Sequence, residues 1–198
     1  MQSIPLSFFV DFMLTTGTGR LAMVRQLKEG THADFYRPVR DVIVNMHRSA
    51  HDMGPFVEES FDNLLRGSDP RERRIFPKVI AGYQKFLKQG RIVWSDPPMR
   101  DWRPFGDVAV RVAPELGLLI DGRPHAIQLH FRGDPPDASR IAATTSILAS
   151  VLGPTWPGTT FALLDVRRAR LYPHRPNEGM DALLRAEAAA LGILWGAT

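Results

Sequence analysis

In this 198-residue chain the side chains best placed to do chemistry fall in one run, His125-Ala126-Ile127-Gln128-Leu129-His130-Phe131-Arg132. Polar and apolar residues alternate along it, and a strand sends successive side chains to opposite faces. Gln128, His130 and Arg132 therefore share one side, and Ile127, Leu129 and Phe131 the other. An amide, an imidazole and a guanidinium are groups that hydrogen-bond, carry protons and hold anions. A strand face this polar reads either as an altered or remnant site, or as a surface left to water or covered by another part of the chain.

Other constellations carry less. His47 and His51 stand one helical turn apart, a spacing that can chelate a transition metal, with Asp52 beside them. No third ligand follows at a characteristic distance, which favours a solvated or core-edge pair. Thr15-Thr16-Gly17-Thr18-Gly19-Arg20 has the glycines of a phosphate-cradling loop but lacks Gly-Lys-Ser/Thr and follows no strand. No Gly-X-Ser-X-Gly elbow offers a serine nucleophile. The absence of cysteine removes disulfides, thiolate zinc sites and thiol nucleophiles.

Positive charge is concentrated in one segment. The formal charge of the chain is +4, whereas residues 66–91 hold eight Lys and Arg against Asp69 and Glu72, a net of +6. An apolar stripe of Ile75, Val79, Ala81/Gly82, Phe86 and Leu87 turns Arg74, Lys78, Lys85 and Lys88 toward solvent. That face is either simply solvated or a contact for phosphates, whose neutralisation releases counterions. Tyr83 and Phe86 interleave with Lys85 and Lys88, and helical spacing assigns Phe86 at least to the core.

The elements that position these groups follow from periodicity and punctuation. Residues 4–14 predict an apolar helix packed on the domain. With no basic n-region, Asp11 inside the run and no small-residue cleavage site, they do not read as a signal peptide. No run reaches the roughly 20 apolar residues that span a bilayer. Helices follow over residues 21–30, 35–50 with Pro38 in the first turn, 56–66 ended by Gly67, and 70–88, which Pro77 should kink or split.

Strands are expected at 92–94, 107–112, 116–121 and 125–131, the last two joined by a hairpin at Gly122-Arg123. A helix from about 139 to 152, strands at 159–166 and 170–172 around a turn at Arg167-Arg168, and a helix over 181–194 complete the chain. The expected fold is α+β, a mixed β-sheet core in α-β-β-β-α-β-β-α order. Residues 1–198 are expected to form a single domain, with a helical N-terminal extension (1–90) packed on an α/β core (91–198).

Pro114-Glu115, a strand, a Gly turn, and an apolar strand with polar residues at i and i+2 together resemble the PD-(D/E)XK nuclease-like superfamily. In that pattern an acid begins the second strand and the third carries acid-X-Lys. The resemblance thus implies catalytic positions at Glu115, Gln128 and His130, with Glu115 as the metal ligand. Mg²⁺ prefers clustered hard oxygens, and a cation must orient water or stabilise developing charge. Here Gln128 puts a neutral amide in place of the second carboxylate, and His130 a mostly neutral imidazole in place of the lysine. Glu58 or Glu59 could supply a second acid, Asp121 lies nearby in sequence, and Arg132 extends the polar face.

The expectation is a cytoplasmic protein with a nuclease-like fold and no hydrolytic activity. It would require no cofactor and stay off membranes, binding a nucleic-acid or protein partner through Lys78, Lys85, Lys88 and Arg132. The alternative is a divergent Mg-dependent nuclease using Glu115, Gln128 and His130. A third reading is a self-associating structural protein, a homodimer built on the apolar N-terminal segment and the tail around Leu191, Leu194 and Trp195.

Overall fold

The strands divide between two sheets. The computed structural model describes residues 2–31, 34–49, 54–105 and 108–198. In chain order these form β1 (Gln2–Pro5), α1 (Leu6–Leu14), α2 (Thr18–Lys28), α3 (Arg37–Ser49), α4 (Gly54–Gly67), α5 (Pro70–Leu87), β2 (Ile92–Trp94), β3 (Asp101–Phe105) and β4 (Val108–Val112). There follow β5 (Leu116–Ile120), β6 (Arg123–His130), α6 (Ala138–Leu152), β7 (Thr160–Asp165), a 3-10 turn (Val166–Arg168), β8 (Arg170–Pro173) and α7 (Met180–Ala197). The fold is α+β, as expected.

The larger sheet has the order β2-β5-β6-β7-β8, and only β6 and β7 run parallel in it, joined through α6. The smaller sheet has the order β1-β4-β3, with β1 parallel to β4. The strands expected at 107–112, 116–121 and 125–131 therefore do not form one meander. Antiparallel β2-β5-β6 takes that place, and β3-β4 is a hairpin inserted between β2 and β5. Asp107, where the first of those strands was expected to begin, lies outside the described residues. Neither β1 nor β3 was legible in the sequence: Ile4 and Pro5 read as the start of the apolar helix, and Pro104 interrupts β3. Both are edge strands, where a missing N–H is tolerated.

Local chemistry sets the element ends. Asp69 and Glu72 close a capping box on α5, Asp69 Oδ1 accepting from the Glu72 N–H at 2.8 Å and Glu72 Oε2 from the Asp69 N–H at 2.9 Å, with Pro70 next. Pro77 does not divide this helix. It costs one backbone hydrogen bond, but Phe76, Val79, Ile80, Tyr83 and Phe86 bury both halves of the helix against one core. The β5–β6 hairpin turns at Asp121-Gly122, one residue earlier than expected, both with positive φ (50° and 79°), as a type I′ turn requires.

Two cores lie on opposite faces of the larger sheet. Leu116, Leu118, Ile127, Leu129, Ala162 and Leu164 face α3, α4 and α5. Ala126 and Phe161 face the other way, into a core shared by α1, α2, α6, α7 and the inner side of β1 and β4. The first ninety residues thus contribute to both cores. Phe8, Phe9, Phe12 and Leu191 are buried there, and Leu194 and Trp195 pack against them. Among the described residues no helix is long and apolar enough to cross a membrane.

Candidate functional site

Pro114 ends the β5 ladder, and the next residue takes over a backbone role. Continuing the β5–β6 register puts Glu115 opposite Gln128 and Pro114 opposite Leu129. Glu115 Oε2 accepts from the Leu129 N–H at 2.9 Å, and Glu115 Oε1 accepts from Gln128 Nε2 at 2.7 Å. Burial pushes the Glu115 carboxyl up to about 7, and the Leu129 N–H and the Arg40 charge offset this only in part. Gln128 is 8% exposed, and among the described residues its Oε1 has no hydrogen-bond partner. Rotating the amide would only exchange which of its atoms is left over.

His130 lies on the same face of β6, one alternation further on, and is 7% exposed. Its Nε2 lies 3.1 Å from the Asp134 carbonyl, and since a carbonyl can only accept, Nε2 carries the hydrogen. Burial, with smaller contributions from Arg140 and Arg132, lowers its pKa against the pull of the Asp134 carbonyl and Asp165, so the imidazole is neutral at pH 7. Gln128 and His130 are therefore enclosed rather than washed by water, while Arg132 beyond them stays exposed.

Parallel pairing with β7 sets His130 beside Asp165, which is completely buried and ion-paired to Arg168 at 3.1 Å. Sequence reasoning passed over Asp165 as the end of an apolar strand. The available signal was an acid closing the buried run Phe161-Ala162-Leu163-Leu164 just ahead of Arg167-Arg168. Those arginines also hold the loop after β6, Arg167 donating to the Phe131 carbonyl at 2.8 Å and Arg168 to that of Gly133 at 2.7 Å. Glu115 just ahead of β5, Gln128 and His130 of β6 and Asp165 of β7 form one polar row.

The remaining sequence candidates fall elsewhere. Asp121 sits at the far end of β5, its carboxylate accepting from the Arg91 N–H at 3.0 Å. Glu58 and Glu59 are exposed on α4, and Glu59 lines a groove of about 370 Å³ with Val42, Asn45, Met46, Ser60 and Asn63. The acid that influences Glu115 is Asp34, itself ion-paired to Arg40 at 2.6 Å. Arg132 pairs with Asp11 of α1, which also holds Arg140 at 2.7 Å. Lys78, Lys85 and Lys88 are exposed along α5.

His51 and Asp52 lie outside the described residues. His47 is buried, with Nε2 bonded to the Tyr83 hydroxyl and its ring stacked on Trp94, and burial alone takes its pKa down to about 4. The Thr15–Arg20 loop joins α1 to α2. Arg20 donates to the Thr15 carbonyl at 2.6 Å and pairs with Glu187 at 2.9 Å, which makes the loop a helix-end clamp.

The row can hold one exchangeable proton near neutrality, on Glu115, beside an amide oxygen free to accept. Both Glu115 oxygens are engaged within the protein, and among the described residues no three His, Asp or Glu side chains converge to hold a metal ion. No protein-family model matches the chain, and none of the curated proteins is similar to it in sequence.

Proposed function

We propose that this chain is a cytoplasmic protein with a nuclease-like fold that does not hydrolyse phosphodiesters and binds nucleic acid through the exposed side of α5. The observation that carries this reading is the basic stripe. Arg71, Arg74, Lys78, Lys85 and Lys88 recur at helical spacing on one exposed face, about 25 Å long at 1.5 Å per residue. Among the described residues no carboxylate pairs with Arg74, Lys78, Lys85 or Lys88. The fold resemblance is supported by the run β2-β5-β6-α6-β7, by Gln128 and His130 sharing one face of β6, and by the hydrogen bond from Gln128 to Glu115. Absence of hydrolysis is supported by the chemistry of the row: its two carboxylates are already engaged, Glu115 by Gln128 and the Leu129 N–H and Asp165 by Arg168, and it holds no lysine.

The test is fluorescence anisotropy of labelled DNA, single- and double-stranded, titrated with the protein in Mg²⁺ across a salt series. Salt-sensitive binding that is lost when Lys78, Lys85 and Lys88 become Gln supports the reading. No binding at low salt removes it and leaves an acidic protein surface as the partner of the stripe.

One observation favours a Mg-dependent nuclease instead, the unpartnered Gln128 Oε1 beside the Glu115 carboxyl. A single carboxylate and an amide oxygen fall short of what Mg²⁺ prefers. Cleavage in the same samples that disappears in Glu115→Gln would establish this second reading.

A further inference from the structure

The β3-β4 hairpin has an outer side that the α5 reading does not use. Val108, Val110 and Val112 point into the core, while Arg103 bonds to Ser150 and Asp181 on that inner side. The alternate residues Trp102 and Arg111, directly paired across β3 and β4, therefore face outward. Trp102 is 44% exposed, and the Arg100 guanidinium lies 5.8 Å from its ring centroid. Arg111 is exposed, and Met99, just before Arg100, is 82% exposed. Neither Arg100 nor Arg111 is ion-paired among the described residues.

We infer that this face is a stacking platform for single-stranded nucleic acid, with Trp102 receiving an unpaired base and Arg100 and Arg111 the flanking phosphates. The charge of the two arginines suits a phosphate backbone, and a flat, half-exposed indole beside them suits a base of any identity. A duplex keeps its bases stacked inside and has none to offer the ring. A peptide strand added to the β3 edge would meet Pro104, which has no N–H to give. The inference rests on nucleic acid being the partner, but it invokes a surface separate from α5.

The experiment compares oligothymidylate, oligouridylate and a mixed-sequence duplex by anisotropy, using the full chain and four variants. These are Trp102→Ala, Trp102→Phe, Arg100→Gln with Arg111→Gln, and Lys78→Gln with Lys85→Gln and Lys88→Gln. Trp102→Ala should weaken single-strand binding roughly 5- to 100-fold while sparing the duplex, and Trp102→Phe should retain most of it. The double arginine variant should weaken it and flatten its salt dependence. Single-strand affinity indifferent to Trp102 overturns the inference, as does Trp102-dependent binding of polyglutamate in preference to the oligonucleotides. Duplex binding lost only in the lysine variant, with Trp102 irrelevant, would keep the α5 reading and sink this one. Trp102-dependent binding untouched by the lysines would do the reverse, and failure to bind any oligonucleotide would remove both.

Discussion

Glu115 and His47 are both pushed toward their neutral forms by burial, one by retaining a proton and the other by refusing one. Their effects on stability run in opposite directions. The Glu115 carboxyl rises from 4.5 to about 7, so its contribution is full below pH 4.5 and is lost as pH climbs through 7. His47 falls from 6.5 to about 4, so its contribution is full above 6.5 and is lost as pH drops through 4. Each shift corresponds to about 3 kcal/mol. Urea unfolding across this range should show Glu115→Gln gaining stability over the parent on the alkaline side. His47→Gln, whose amide can still meet the Tyr83 hydroxyl, should gain on the acid side. Parallel curves for parent and variant would refute the burial account of that residue. At this scale Glu115, Gln128 and His130 were legible from alternation and the Pro-acid pair. Asp165 was not, because its significance depends on a neighbour 35 positions away.

The contact between α5 and the 3-10 turn is set by Gly82. A Cβ there would stand 2.7 Å from Arg167 Cα and closer still to the Val166 carbonyl oxygen. Gly→Ala in an open helix gains about 1 kcal/mol, but forcing a methyl into a closed contact costs about 1–3 kcal/mol. Gly82→Ala should therefore lower the thermal midpoint, and an unchanged or raised midpoint would show that α5 can move away from the turn. The helices were readable because caps, prolines and apolar periodicity are local signals, as in the Asp69-Pro70 start of α5. β1 and β3 were not, since Ile4 and Pro5 continue into an apolar helix and Pro104 argues against a strand unless the edge position is known.

For the whole molecule, the unpaired charges that matter lie on surfaces, while the polar row is enclosed. If α5 carries the duplex contact, replacing Lys78, Lys85 and Lys88 by Gln should reduce the slope of log affinity against log salt by up to about 2.7, the value for three neutralised phosphates. An unchanged slope would place the phosphate contacts elsewhere. Composition, punctuation and periodicity by themselves determined an α+β chain, a basic helix face and a strand with one polar and one apolar side. These properties follow from each residue and its near neighbours along the chain. Tertiary structure alone decided that β4 pairs with β1 and β3 in a second sheet, that Gln128 and His130 are buried, and that Asp165 stands beside His130. The reason is physical: strand partners and burial depend on contacts between distant segments, and a local pattern compatible with several pairings does not choose among them.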